Sequence, residues 1–448
     1  MWRVFLIAGV LLGPSDATAH AVERGLIQLL PTEFYVTGAA CAVAVSFLVL
    51  AFWPSRQNAP TPTLRSQGRG PHQAWMCHGA AARRVVQWAA FAIFILLVVV
   101  GFFGSRDPLE NLAPLVVWTA FWIGMPALVA VLGDLWSWCN PWSGPLRLLG
   151  GGTGRALPAW LGYWPAVTSF GGIIWYDLVY PAPRDPEHLA WAMLGYWSVH
   201  LIAMGVWGEA WRQQGEAFSV FFALLGRLSP MVRREEGVAL PLSGWVFVTT
   251  AIAAITADGL GGTFWWLGHI GINPLSPPGR TALVWANSAG LLGVWLALMA
   301  AYAVAVWSGW RLAGRQGRLD TALGRLALSL LPIALAYHLA HFLTHFLING
   351  QYMLVALSDP FHTGADWLGL GAHFVSTAFL NHLDDVRTLW HVQVAIILGG
   401  HLWGVVIAHR EAVRLFGQRA AVAGAPLAIM MVAMTMLGLW LLSTPTGG

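Results

Sequence analysis

The stretch YHLAHFLTHF, Tyr337 to Phe346, sits inside an apolar run over 326–348. A run of that length is enough to cross a bilayer. Three histidines within it carry a free-energy cost, because each ring needs a polar partner that hydrocarbon does not offer. The rest of the chain sets the environment of this run. Of 448 residues, 57% are hydrophobic and 10% are charged, against about 25% charged in a soluble globular chain. Many other apolar runs approach about 20 residues, the length of a membrane-spanning helix. The expected fold class is an all-α integral membrane protein, a bundle of about ten transmembrane helices after a cleavable signal peptide.

Residues 1–19 read as that signal peptide. MWR is a short basic region, VFLIAGVLLG is the apolar region, and ATA is a small-residue cleavage site. Cleavage after Ala19 leaves His20 first, and 20–448 forms a single polytopic membrane domain. An uncleaved anchor is the alternative. Ten spans follow, at 33–53, 86–103, 112–133, 156–177, 188–207, 239–257, 281–308, 326–348, 389–408 and 423–442.

The net charge of +4 rests on arginine alone, since the chain has no lysine. In a membrane protein such an excess reports orientation, not a nucleic-acid partner. With the first span running inward, 18 of the 24 arginines fall in inner loops, five fall outside and Arg3 lies in the signal. That bias predicts both termini on the outer side, which is periplasmic if the membrane is a bacterial inner membrane. Many of the 27 tryptophans lie near span ends, where an amphipathic ring prefers the interface. GEAFSVFFALLGRLSP, 215–230, is too short and polar for an eleventh span. It reads as an inner interfacial or re-entrant helix within about 209–230. The glycine run LGGGTGR has neither a preceding strand nor a GK[ST] ending, so it is not a phosphate loop. Cys41, Cys77 and Cys139 show no CxxC spacing and define neither a disulfide framework nor a zinc ribbon.

The histidines gather toward the outer side. On one continuous helix His338, His341 and His345 point at about 0°, 300° and 340°, an arc about 60° wide. The next span opens with WHVQVAIILGGHLWG, which puts His391 at its outer end and His401 about 15 Å deeper. The two spans are joined by an outer loop, 349–388, holding His362, His373 and His382, which are expected to be solvent-exposed. Asp258 closes the sixth span in TADGLGGT. Imidazole suits zinc and copper, so a divalent metal held by His338, His341 or His345, with His391 or His401 opposite, is one reading. His20 could add its amine and ring. Interhelical hydrogen bonding or a proton relay is the other reading. HQAWMCH at 72–78 lacks a second ligand pair and is a weak metal motif. Haem is not expected, because His391 and His401 lie about 80° apart on their helix and do not stack two haems along one face.

Several segments resemble the bacterial membrane-bound fenitrothion hydrolase family. They are HAVERGLIQLLPTEFYVTGAACAVAVSFLV, GEAFSVFFALLGRLSP, DGLGGT, LSDPFHTGADWLG and VQVAIILGGHLWGVVIAHREAV, and the resemblance runs from the expected mature N-terminus to the last span. The resemblance implies hydrolysis of a phosphotriester pesticide to a nitrophenol and a dialkyl thiophosphate, and it assigns no catalytic residues. The residues are compatible with that chemistry. A small apolar triester would partition into the lipid bilayer, and a histidine-bound metal would polarise the phosphoryl group and lower the water pKa to about 7. Asp258 or Asp359 could be a further ligand or general base, or a cap. No GxSxG or HExxH motif is present. A copper-binding or respiratory-assembly membrane protein and a proton-coupled transporter are the alternatives, and no partner membrane protein is specified. The arginine bias predicts that a reporter fused after Gly448 reads on the periplasmic side; a cytoplasmic reading would mean an odd number of spans.

Overall fold

The computed structural model of the chain describes residue 27 and residues 30–52, 80–232, 239–371 and 373–445. The signal peptide, its cleavage site, His20, His72 and His78 lie outside them. Among the described residues every regular element is helical. The principal helices are α1 (Thr32–Phe52), α2 (Ala80–Phe103), α3 (Leu112–Leu132), α4 (Trp164–Leu178), α5 (Pro186–Trp207) and α6 (Ala217–Gly226). They continue with α7 (Leu242–Gly261), α8 (Arg280–Leu312), α9 (Leu319–His341), α10 (Leu343–Ser358), α11 (Leu383–Phe416) and α12 (Ala420–Ser443). Eight segments are long and apolar enough to cross a membrane, the last of them, Leu383–Ser443, holding both α11 and α12. The chain is a multi-pass helical membrane protein.

Three boundaries differ from the sequence expectation. The fourth span begins at Trp164 rather than 156, leaving a helix of 15 residues, about 22 Å long. Gly162 has a positive φ of 44° and Pro165 sits in the first turn, so the helix starts there and not earlier. The run 326–348 is not one helix. A 3-10 turn over Ala327–Leu330 leads into Pro332, and α9 stops at His341 because Phe342 leaves the helical region, with φ −94° and ψ 6°. A second helix, α10, then carries the chain to Ser358. The expected outer loop 349–388 is therefore shorter, since Asn349–Ser358 ends α10 and Leu383–Thr388 begins α11.

Segment 215–230 is enclosed by other helices, which suits a re-entrant helix better than one lying on a membrane surface. Most of α6 is buried, and it packs on α3, α4 and α9. A helix that begins inside a bundle leaves amide donors without water. Glu216 answers this with both carboxylate oxygens. Oε1 accepts from Phe218 N at 2.9 Å and from the Tyr196 hydroxyl; Oε2 accepts from Ser219 N at 2.7 Å and Trp136 Nε1 at 3.2 Å.

The centre of the bundle is α7 and α9, with 72% and 61% of their apolar windows enclosed against 17% for α8. The main helix contact joins α9 to α11. Here the GGHLWG segment acts through its glycines. A Cβ on Gly400 would lie 2.7 Å from Pro332 O, and one on Gly404 would lie 2.8 Å from Ser329 O. Only hydrogen at these positions lets the two backbones meet. At the other end of this seam Arg325 Nε donates to Glu411 at 2.7 Å, and Arg414 donates to the second oxygen at 2.7 Å. Gly400→Val should separate α9 from α11 and cost about 1–3 kcal/mol, as overpacking does. A lowered unfolding midpoint in lipid nanodiscs checks this; an unchanged midpoint would show that the seam can yield.

Candidate functional site

The sharpest polar feature at the outer end, the end that the arginine bias assigns to the outside, is a pair. His341 is the last residue of α9, and Asp258 lies one turn before the end of α7. His341 Nε2–H donates to Asp258 Oδ2 at 2.8 Å. The imidazole is 10% exposed and the carboxylate 29%, so the aspartate is the wetter member. His341 Nδ1 is buried without a hydrogen-bond partner.

The other expected histidines go elsewhere. His338 Nε2–H donates to the carbonyl of Trp122 at 2.7 Å. That carbonyl lies in the stretch Val116–Gly124 of α3, which is wound in wide π turns that displace carbonyls from the regular ladder. The break at Phe342 moves His345 onto α10, where Asn349 Nδ2 donates to its Nε2 at 2.6 Å. His401 Nδ1–H donates to its own helix at Ile397 O, 2.9 Å away. His391 shares a 2.8 Å hydrogen bond with the Tyr35 hydroxyl of α1. The single arc drawn for a continuous helix thus resolves into separate contacts with three different helices. Among the described residues no three His, Cys, Asp or Glu side chains gather as a metal ion would require. His20, the remaining expected ligand, lies outside the described residues.

Asp359 closes a turn. Its carboxylate accepts from Thr363, Gly364 N and Ala365 N at 3.0, 2.6 and 2.9 Å, and these bonds hold its carboxyl below the usual range. His362, His373 and His382 are exposed, and His362 faces Glu110 at 3.6 Å.

Beside Asp258 lies a cavity of about 330 Å³. It is bounded by the ends of α4 and α7, the short helix Phe264–His269 and the first half of α8. Leu178, Val179, Leu260, Leu267, Leu283, Leu291 and Val294 make most of its wall apolar. Arg280 and Asn287 interrupt that wall. Arg280 Nη2 donates to the carbonyls of Asp177 and Leu178 at 2.8 and 2.9 Å, so the guanidinium caps the C-terminus of α4 and is held in place. Asn287 Oδ1 and Trp266 Nε1 are buried without hydrogen-bond partners. The indole of Trp266 lies over Gly290, where a Cβ would sit 2.6 Å from the ring. A small, mostly apolar chamber with a few fixed polar groups is the usual form of a small-molecule site.

Arg280, Asn287 and Trp266 were not among the sequence candidates. Arg280 counts only as one outer arginine until the fold brings it to α4. Its place after PLSPPG, at the start of a helix, is the one signal that could have marked it. No family model, curated protein or solved structure matches the chain.

Arg280→Ala should leave the last carbonyls of α4 without their donor. Loss of a charge-assisted hydrogen bond predicts about 2 kcal/mol of destabilisation, read as a lower unfolding midpoint. Full stability in this variant would show that water replaces the cap.

Proposed function

We propose that the chain is a membrane hydrolase of small apolar phosphotriesters, with the cavity beside Asp258 as its active site. The observation that carries this reading is Asp258, held by His341, at the wall of a chamber whose lining is largely apolar apart from Arg280 and Asn287. His341 holds one carboxylate oxygen and fixes the rotamer of Asp258. The second oxygen serves as general base for a water molecule. As the water oxygen bonds to phosphorus, its proton passes to Asp258. The phosphorus–aryl oxygen bond breaks, and the phenolate leaves with the electron pair. Arg280, anchored on α4, supplies positive charge to the phosphoryl or thiophosphoryl group as negative charge builds there. The apolar wall takes up the ester groups and the aryl ring.

The segment resemblance to fenitrothion hydrolases supports the same substrate class. A divalent metal, zinc or copper, enters no step of this proposal, because Asp258 and His341 offer two donors and no third joins them among the described residues. Asp359 and His345 are placed in a turn and on α10 and take no part.

General-base catalysis contributes about 10²–10⁴-fold. Asp258→Asn should therefore lower kcat for a 4-nitrophenyl dialkyl phosphate by about that factor, while insertion and unfolding midpoint stay the same. His341→Ala, which removes only the positioning contact, should cost less, and Asp359→Asn should cost nothing measurable. Release of 4-nitrophenol by protein in nanodiscs is the readout, with and without a strong chelator. Full activity in Asp258→Asn would overturn the assignment. Activity lost to chelator and restored by zinc or copper would instead put a metal at the reacting centre.

A further inference from the structure

The shape of the cavity says more about its ligand than its volume does. Along α8 its lining residues fall at 280, 283, 287, 290, 291 and 294, all within one helix face. From Arg280 to Val294 that face covers about 21 Å of axial rise, which runs from the outer rim toward the middle of the bilayer. The charged groups, Arg280 and Asp258, are at the rim. Asn287 is the last polar contact on α8, and Leu291 and Val294 lie beyond it. The cavity is thus a slot, polar at the headgroup end and apolar at depth. The opposite face of α8 looks outward, with Trp285 87% exposed.

The side of the slot between α4 and α8 is thinly closed. These helices touch little. They are tied by Trp175 Nε1 donating to Ser288 Oγ at 2.9 Å and by the Arg280 bonds to the end of α4. An apolar chain already in the outer leaflet would have to displace only the first of these ties to enter, with its head remaining at headgroup level.

Resting on the reading of this cavity as a hydrolase site, we infer that its native substrate is a single-chain amphiphilic phosphoester. The phosphoryl head lies between Arg280 and Asp258 and the alkyl chain runs down α8 past Asn287. The slot follows one face of a single helix, a width that suits one alkyl chain and not the two chains of a bilayer lipid side by side.

Occupancy is measured apart from turnover. Leu291→Cys is made in a background with Cys41, Cys77 and Cys139 replaced by alanine, in nanodiscs of diacyl phospholipid. Labelling by a small thiol reagent is followed with octylphosphonate or ethylphosphonate present. Octylphosphonate should slow labelling at least tenfold and ethylphosphonate should not. In parallel, octyl ethyl 4-nitrophenyl phosphate should be hydrolysed with kcat/KM at least tenfold above the diethyl ester, and Val294→Trp should flatten that preference. Equal effects of the two phosphonates, or none, would overturn the inference. So would labelling already blocked before any phosphonate is added, which would mean that bilayer lipid fills the slot. Chain-dependent protection without hydrolysis of either ester would remove the hydrolase reading and leave the amphiphile site standing. Hydrolysis without chain preference or protection would do the reverse.

Discussion

A helix that starts buried among other helices has amide donors and no water to take them. Glu216 supplies the acceptors, and the architecture around the site follows from that contact. Its two carboxylate oxygens take two backbone amides of α6 together with the Trp136 indole and the Tyr196 hydroxyl. Those bonds tie the start of α6 to Trp136 and to α5, and α6 itself packs on α3, α4 and α9. Two of these, α4 and α9, carry Leu178 and His341 to the outer end. Removing one partner of a buried polar network costs several kcal/mol, so a change at Glu216 would be felt at the cavity through the helices that lean on α6.

The histidine-rich stretch shows how one segment can serve several ends. His338 satisfies a carbonyl displaced by the wide turns of α3, His341 orients a carboxylate, and His345 pairs with Asn349 on α10. Each ring finds the partner that burial demands. The break at Phe342 separates their roles.

The fold was legible because lipid leaves few options. Long apolar runs with arginine at alternating ends mean helices that span, and among the described residues helices lie at the runs, eight segments being long and apolar enough to cross and the run 326–348 dividing into two helices. What the sequence hid was local. A non-helical residue at Phe342 has no proline or glycine to announce it, so periodicity carried the helix, and with it the histidine arc, past its true end. The burial of α6 turns on Tyr196 and Trp136, which are distant in sequence from Glu216. Of the site, Asp258 and His341 were both visible as polar residues near outer span ends, but their pairing was not. Arg280 was hidden because its role lies in reaching the backbone of another helix.

The glycine seam between α9 and α11 also has a mechanical meaning. Where backbones touch without side chains between them, neither helix can slide or rock without collision, and interfaces of that kind behave as a stiff post. The α4–α8 side, tied by a few hydrogen bonds and little packing, is the compliant part of the same molecule. His341 stands on the post, and Arg280 stands on α8, which packs closely on α7, the helix of Asp258, and on α12. Any breathing of the chamber therefore opens the seam to α4, while arginine, aspartate and histidine keep their places on helices that are packed together.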